Sequence, residues 1–390
     1  MQIVYTGEPF PEKTVKSIFL AGPTPRTPDV KSWRPEALEI LKKLDYNGHV
    51  FDPEYKEGPR EVKEYEYEGQ TDWETKGLNQ ADIIVFWVPR NLETMPAFTT
   101  NVEWGTWADS GKVVFGAPPE APKNKYLKLM AEKYSVPQFE TLEETLACAV
   151  NYLGKGAERT GGECKVPLYI WETESFQAWY KNLLKAGNQL KDAGVLWTDR
   201  RGPKKDSIFA WGMEAKIYIA SENRYKTNDI VITRRDISSA VLWKKDRFNL
   251  LNSGIVLVKE FRSPGRTSDG FIHELPGGSA FKNNVEPIIL AAEEIFEETG
   301  LHFEPSRLKP HGSRQLTGTF STHHAHLFSI NLTELELAWY KKLVELKEPL
   351  GNQNDSERTY IEVKTLKEIL SEKLADWSTL GMIMQVISEN

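Results

Sequence analysis

The chain has 390 residues, with 49 Lys and Arg against 56 Asp and Glu and a net charge of −7. That length exceeds one ordinary domain, and the acidic balance excludes a general nucleic-acid binder, which needs a basic surface to neutralise phosphates. Two cysteines, Cys148 and Cys164, make neither a disulfide framework nor a metal quartet, and no signal peptide or run of ~20 apolar residues is present, so the reading is a soluble cytoplasmic protein with no membrane contact.

In the first part of the chain, apolar runs alternate with amphipathic stretches. Residues 17–22 read as a strand, 33–44 as a helix, 50–51 as a short strand, 82–88 as a buried strand, 100–110 as a helix and 112–116 as another strand. Such alternation predicts a parallel sheet covered on both faces, of flavodoxin or Rossmann type, with ligands at the carboxyl ends of the strands.

The chemistry-bearing residues fall at those ends. The turn Ala21-Gly-Pro-Thr-Pro-Arg26 follows the first strand, and Asn101-Val-Glu-Trp-Gly105 opens the helix after the second buried strand. Together with Trp73-Glu74 and Gln80-Ala-Asp82, these stretches resemble nucleoside 2-deoxyribosyltransferases, over residues 1–154. The resemblance implies that Glu103 attacks the anomeric carbon of a sugar while Glu74 protonates the departing base. It implies that Gly22, Pro23, Asn101 and Trp104 contact substrate, and that Trp107, Phe19 and Trp87 stack on the base or close the pocket. A carboxylate suits the task because a glycosyl-ester intermediate splits one difficult displacement into two easier steps. Near a helix N-terminus Glu103 is expected to stay ionised. A second reading of the same residues is a capping box, Thr100-Asn-Val-Glu103, satisfying backbone N–H groups at the helix start. The acidic residue that many relatives carry shortly before the nucleophile has no counterpart in 96–100, which leaves transfer, hydrolysis of an N-glycosidic bond and plain nucleotide binding open.

Residues 154–162 are glycine-rich and apolar-poor, which predicts a linker at 155–164. Beyond it, 174–192 reads as an amphipathic helix, and 216–220, 229–233 and 240–243 as strands.

Residues 254–263 read as a strand, and 270–278 as a strand and turn leading into Gly278 to Leu301. In the helix of that last stretch, Glu294, Glu297 and Glu298 share one face because residues three and four apart are neighbours. Ile288, Ala292 and Ile295 form the opposing apolar stripe. Pro287 fits the first turn and Gly300 the left-handed stop. Oxygen-rich carboxylate sites suit magnesium or manganese; the plain alternative is a solvated acidic face.

The tail of this stretch, Glu294-Ile-Phe-Glu297-Glu298-Thr-Gly300-Leu301, resembles the Nudix box of Nudix hydrolases. Two departures stand out: Glu293 occupies the place of the family's arginine, and the glycine loop is one residue longer, shifting Gly278 and Glu286 from register. The entering strand resembles ADP-ribose-type pyrophosphatases, although Leu316-Thr-Gly318 stands where those enzymes often carry a proline. The resemblance implies a Nudix α/β/α sandwich over 165–390, so that the whole is α/β plus α+β. It implies Mg2+ or Mn2+ on Glu294, Glu297, Glu298 and the Gly277 carbonyl, Arg262 on substrate, and Glu357, or else Asp355, as general base. A preceding helix and strands often help such relatives dimerise, so a homodimer is expected. His323-His-Ala-His326 is read as structural or substrate-facing, since no cysteine or acidic residue adjoins it.

The composite expectation is a two-domain nucleotide-metabolising enzyme. One module acts on an N-glycosidic bond and the other hydrolyses a nucleoside diphosphate-linked, ADP-ribose-like substrate. Base removal from a dinucleotide such as NAD would hand ADP-ribose from one to the other. The rival is a nucleotide sensor that binds without turnover and reports to a partner.

Overall fold

The structure is a computed structural model describing residues 1–25, 27, 29–56, 64–202, 207–279, 285–350 and 358–389. Among these residues the chain divides into two compact units, Met1–Ile232 and Thr233–Asn390.

The first unit holds a six-stranded parallel sheet built from β1 (Gln2–Tyr5), β2 (Ser17–Ala21), β3 (His49–Asp52), β4 (Ile83–Trp87), β5 (Val113–Gly116) and β6 (Gln138–Phe139). The strand order is β1-β3-β2-β4-β5-β6. The central strands are buried at every position, as expected where helices cover both faces. Strict alternation splits them between two cores: Phe19 and Ala21 on one side, Ile18 and Leu20 on the other. The helices are α1 (Arg34–Lys43), α2 (Glu64–Gln80), α3 (Phe98–Trp107), α4 (Lys125–Lys133) and α5 (Leu142–Leu153). The order reverses between β2 and β4, and their carboxyl ends open at that switch point, the usual ligand position in such sheets.

Residues 155–164, expected to be a bare linker, are stapled to the sheet. Arg159–Thr160 pairs with Lys13–Thr14, and the buried Arg159 grips the buried Asp82. The helix expected over 174–192 stops at Lys185, giving α6 (Glu174–Lys185). Gly187 adopts φ +74°, which ends a helix readily. Residues 189–192 instead begin a three-stranded antiparallel sheet of β7 (Gln189–Arg201), β8 (Ser207–Ile219) and β9 (Arg224–Arg234). These strands are longer than their apolar segments predict, because α6 and Trp211 supply a separate core beneath them.

The second unit is a mixed sheet of β10 (Ile237–Lys244), β11 (Gly254–Phe261), β12 (Phe271–Glu274), β13 (Lys309–Gln315), β14 (His324–Asn331) and β15 (Thr359–Thr365). Its order is β12-β11-β10-β14-β13, with β15 on β11 and Gly277–Gly278 on β10. On one face pack α7 (Pro287–Thr299) and α8 (Glu334–Leu346), and on the other α9 (Leu366–Glu372) and α10 (Trp377–Ser388). The bounds of α7 follow from its sequence: proline begins it and Gly300, at φ +76°, closes it. Among the described residues no helix is long and apolar enough to cross a membrane.

Candidate functional site

The turn after β2 is built around Gly22. At φ +150°, a Cβ there would lie 2.2 Å from the Trp87 carbonyl oxygen and 2.9 Å from the Trp33 ring, so glycine lets the turn lie flat against the end of β4. Pro23 is buried, and its carbonyl accepts a 3.1 Å bond from Trp33 Nε1.

Beneath this turn lies Arg34, the first residue of α1 and 1 % exposed. Its Nε donates to the Leu20 carbonyl (3.3 Å), Nη2 to the Gly22 carbonyl (2.8 Å), and Nη1 to Thr24 Oγ1 (3.0 Å) and Glu54 Oε1 (2.8 Å). Asp52 lies 3.5 Å away at the end of β3. Burial pushes the Asp52 carboxyl up to about 6, against the pull of Arg34. Arg34 was not among the residues expected from sequence; its only local signal is a charge opening an amphipathic helix.

Glu103 sits on α3, and the capping-box reading does not hold. The helix begins at Phe98 after Ala97, whose φ of 60° is left-handed and which makes no side-chain cap. Thr100 is therefore inside the helix and buried, and Glu103 lies beyond the first turn, where the helix dipole has faded. The expectation that Glu103 stays ionised is corrected accordingly: burial first, and then the charge of Glu74, push its carboxyl up to about 7, while Arg34 pulls it down. Glu74, on α2, is also raised by burial, opposed by a 2.8 Å hydrogen bond from Gln70 and by Arg34. The structure thus brings two half-buried carboxyls within electrostatic reach of each other and of one guanidinium, a setting in which one acid keeps its proton more readily.

Asn101 accepts a 2.5 Å bond from Nη2 of Arg90, and Arg90 Nε donates to Asn124 Oδ1 at 3.1 Å. Trp104, expected to touch substrate, is fully buried, its ring 5.1 Å from Phe86 and 4.9 Å from Phe115. Core side chains surround it because position 104 faces the sheet. Phe19 is likewise wholly buried against Trp73, and Trp87 is buried on the other side of the sheet. Trp107 is half-buried and takes the Lys112 ammonium over its ring at 4.7 Å. Asp82 lies at the amino end of β4, where it accepts from Ser17 N, Ser17 Oγ and Leu168 N besides Arg159; it is a structural joint.

In the second unit, α7 buries Ala292 and Ile295 as expected and leaves Glu293 and Glu297 exposed. Glu298 accepts a 2.9 Å bond from the Gly277 N–H, so the group of Gly277 that meets the acid is its amide. A Cβ on Gly278 would lie 2.6 Å from the Glu294 carboxylate. Burial, and then the neighbouring Glu294 and Glu274, hold Glu298 well above the usual carboxylate range, opposed by the Gly277 N–H and Arg262. Arg262, expected on substrate, is paired with Glu274 at 2.9 Å and Glu260 at 3.0 Å. Among the described residues no group of three or more His, Cys, Asp or Glu side chains is gathered for a metal ion. Glu357, Asp355, Arg26 and residues 280–284 of the glycine loop lie outside the described residues. His324 and His326 are half-buried on one face of β14, while His323 is nearly buried, its imidazole pushed down to about 4 by burial and then by Arg234.

A search of curated proteins finds no match to this chain. Residues 15–121 match the family described as nucleoside 2-deoxyribosyltransferase like. That span runs from just before β2 past β5 and contains the Gly22 turn, Arg34, Glu74, Arg90 and Glu103. This part of the chain is a nucleoside 2-deoxyribosyltransferase-like domain.

Proposed function

We propose that the first unit cleaves the N-glycosidic bond of a nucleoside or nucleotide, with Glu103 as nucleophile and Glu74 as general acid. The observation that carries this is a pair of half-buried carboxyls within electrostatic reach of each other, inside the matched domain. Glu103 Oε attacks the anomeric carbon as the bond to the base breaks, and Glu74 gives its proton to the departing ring nitrogen. The glycosyl ester is then released to water or to a second base, with Glu74 taking back a proton. Arg34 favours the anionic form of Glu103 that attack requires, and burial favours the protonated form of Glu74 that donation requires. The test is release of free base from a panel of nucleosides and nucleotides. No release from any, or unchanged release by Glu103→Ala, overturns the reading.

For the second unit we infer Mg2+-dependent hydrolysis of a nucleoside diphosphate-linked, ADP-ribose-like substrate. The support is the Nudix-like sequence of α7 and the crowding of Glu294, Glu298 and Glu274, which a divalent cation would relieve. The donors are all oxygen, as a hard cation requires, and Glu294, Glu297 and Glu298 are the residues that would hold it, although among the described residues these side chains are not gathered as a set of three. When bound, the metal neutralises the pyrophosphate and activates a water. Glu293 in place of the box arginine favours a second reading, a sensor that binds nucleotides without turnover. Incubation with ADP-ribose, with and without chelator, separates the two.

A further inference from the structure

Among the described residues, the buried cations of the first unit other than Arg90 meet either a carboxylate or the carbonyl end of a helix. Arg34 has Glu54 and Asp52, and Arg159 has Asp82. Lys112 and Lys16 have no carboxylate among the described residues, but each sits on a helix C-terminus: Lys112 Nζ donates to the Leu78, Asn79 and Ala81 carbonyls at the end of α2, and Lys16 Nζ to the carbonyl of Gly154, the C-cap of α5. Those ends carry partial negative charge.

Arg90 is 8 % exposed and is held only by the amide oxygens of Asn101 and Asn124. No carboxylate pairs with it among the described residues. Its surroundings have the wrong sign for a cation. Asn124 is the N-cap of α4, Asn101 is the fourth residue of α3, and neither α3 nor α4 has a side-chain cap of its own. Two helix N-termini, each with partial positive charge and unsatisfied N–H groups, therefore flank a guanidinium. A buried charge without a counter-charge is costly, and an anion seated among these groups would lower the cost.

The guanidinium is also prepared for such a ligand. Nε and Nη2 are fixed by the two asparagines, Asn124 is itself anchored through Nδ2 to the Val88 carbonyl at 3.0 Å, and Nη1 has no protein acceptor among the described residues. Arg90 follows β4 at its carboxyl end, and Asn101 stands two residues before Glu103 on α3.

We propose that Arg90, with the amino ends of α3 and α4, forms an anion subsite that receives a phosphate carried by the substrate, so that this unit prefers a nucleoside phosphate to the free nucleoside. The proposal rests on the reading of the Glu74–Glu103 site as one for nucleosides and adds the substrate's charge. The guanidinium would donate through Nη1, and the helix ends would supply backbone N–H groups.

The test is calorimetric binding to full-length Glu103→Gln, which removes turnover, using a nucleoside 5′-monophosphate, the parent nucleoside, and inorganic phosphate. The expected result is binding of the monophosphate tighter than the nucleoside by about tenfold or more, with Arg90→Gln abolishing that difference while nucleoside binding stays nearly constant, and Arg90→Lys retaining part of it. Equal affinity for the two ligands in the parent protein overturns the proposal, as does a phosphate preference that survives Arg90→Gln. Phosphate that binds alone but gives the monophosphate no advantage also overturns it, because the anion would not then belong to the substrate. Should Arg90→Gln fail to fold, the first comparison and Arg90→Lys still decide. Binding is read without catalysis, so a preference found in a protein that cleaves nothing removes only the proposed reaction.

Discussion

Arg159 and Asp82, 77 positions apart, join in a bidentate pair with bonds of 2.8 and 2.7 Å, both side chains fully buried. The pair holds a glycine-rich stretch that local composition marks as a connector against the amino end of β4. Arg159 also donates to the Val166 and Val15 carbonyls at 2.6 and 3.2 Å, so one guanidinium ties three segments of chain.

Breaking such a pair leaves a buried charge uncompensated. Asp82→Asn is expected to cost about 3–5 kcal/mol, read as a lower urea midpoint with an unchanged slope. An unaltered midpoint would show that the stretch at 155–164 adds nothing to the stability of the sheet.

The Glu103 carboxyl gives a pH signature. Its value in the folded state, about 7, lies above that of an ordinary glutamate, so the fold favours the protonated form. Its stabilising contribution is complete below about pH 4 and is lost as pH rises through 7. Glu103→Gln should therefore raise thermal stability at pH 8 while changing little at pH 4. Base release by the unaltered protein should rise with pH through the same region, since only the anion attacks. A Tm gain equal at both pH values would contradict the assigned burial.

Trp104 packs between Phe86 and Phe115. Trp104→Ala should cost about 3–5 kcal/mol through the cavity it leaves. Trp104→Phe should fold and leave KM for nucleosides nearly unchanged; a large rise in KM with unchanged stability would restore the tryptophan to the binding site.

In the second unit, Arg262 opposes the charge crowding at Glu298. Arg262→Ala is expected to lower thermal stability in chelator and to have that loss diminished by millimolar Mn2+, whereas Glu298→Gln should remove the protection by Mn2+. Protection of Glu298→Gln equal to that of the unaltered protein would exclude Glu298 as a ligand.

Most of the secondary structure around the first site was legible because its causes are local. The apolar runs of β2 and β4, the helix opened by Arg34-Pro35 and the turn chemistry of Gly22 each appear within a few residues. The bounds of α7 were equally plain. The start of α3 was not: Ala97 adopts a left-handed conformation that alanine seldom takes, and the shift of the N-cap from the expected Thr100 to Ala97 decides whether Glu103 is a cap or a carboxyl beyond the first turn. Residues 189–201 misled for a related reason, since their place in a strand depends on pairing with 207–219 and not on their own periodicity.

The sequence by itself determined most of the central strands and the bounds of α7, and it marked Glu103, Glu294 and Glu298 as acids on helices and Glu74 as a candidate acid. Only the tertiary structure decided their chemistry. It brought Glu103 within electrostatic reach of Glu74 and Arg34, buried Trp104, turned Arg262 toward Glu274 and left Arg90 without a carboxylate among the described residues. The physical reason is that helix and strand formation respond to neighbours a few residues away, whereas charge state, exposure and pairing depend on desolvation and on groups that folding brings in from distant parts of the chain.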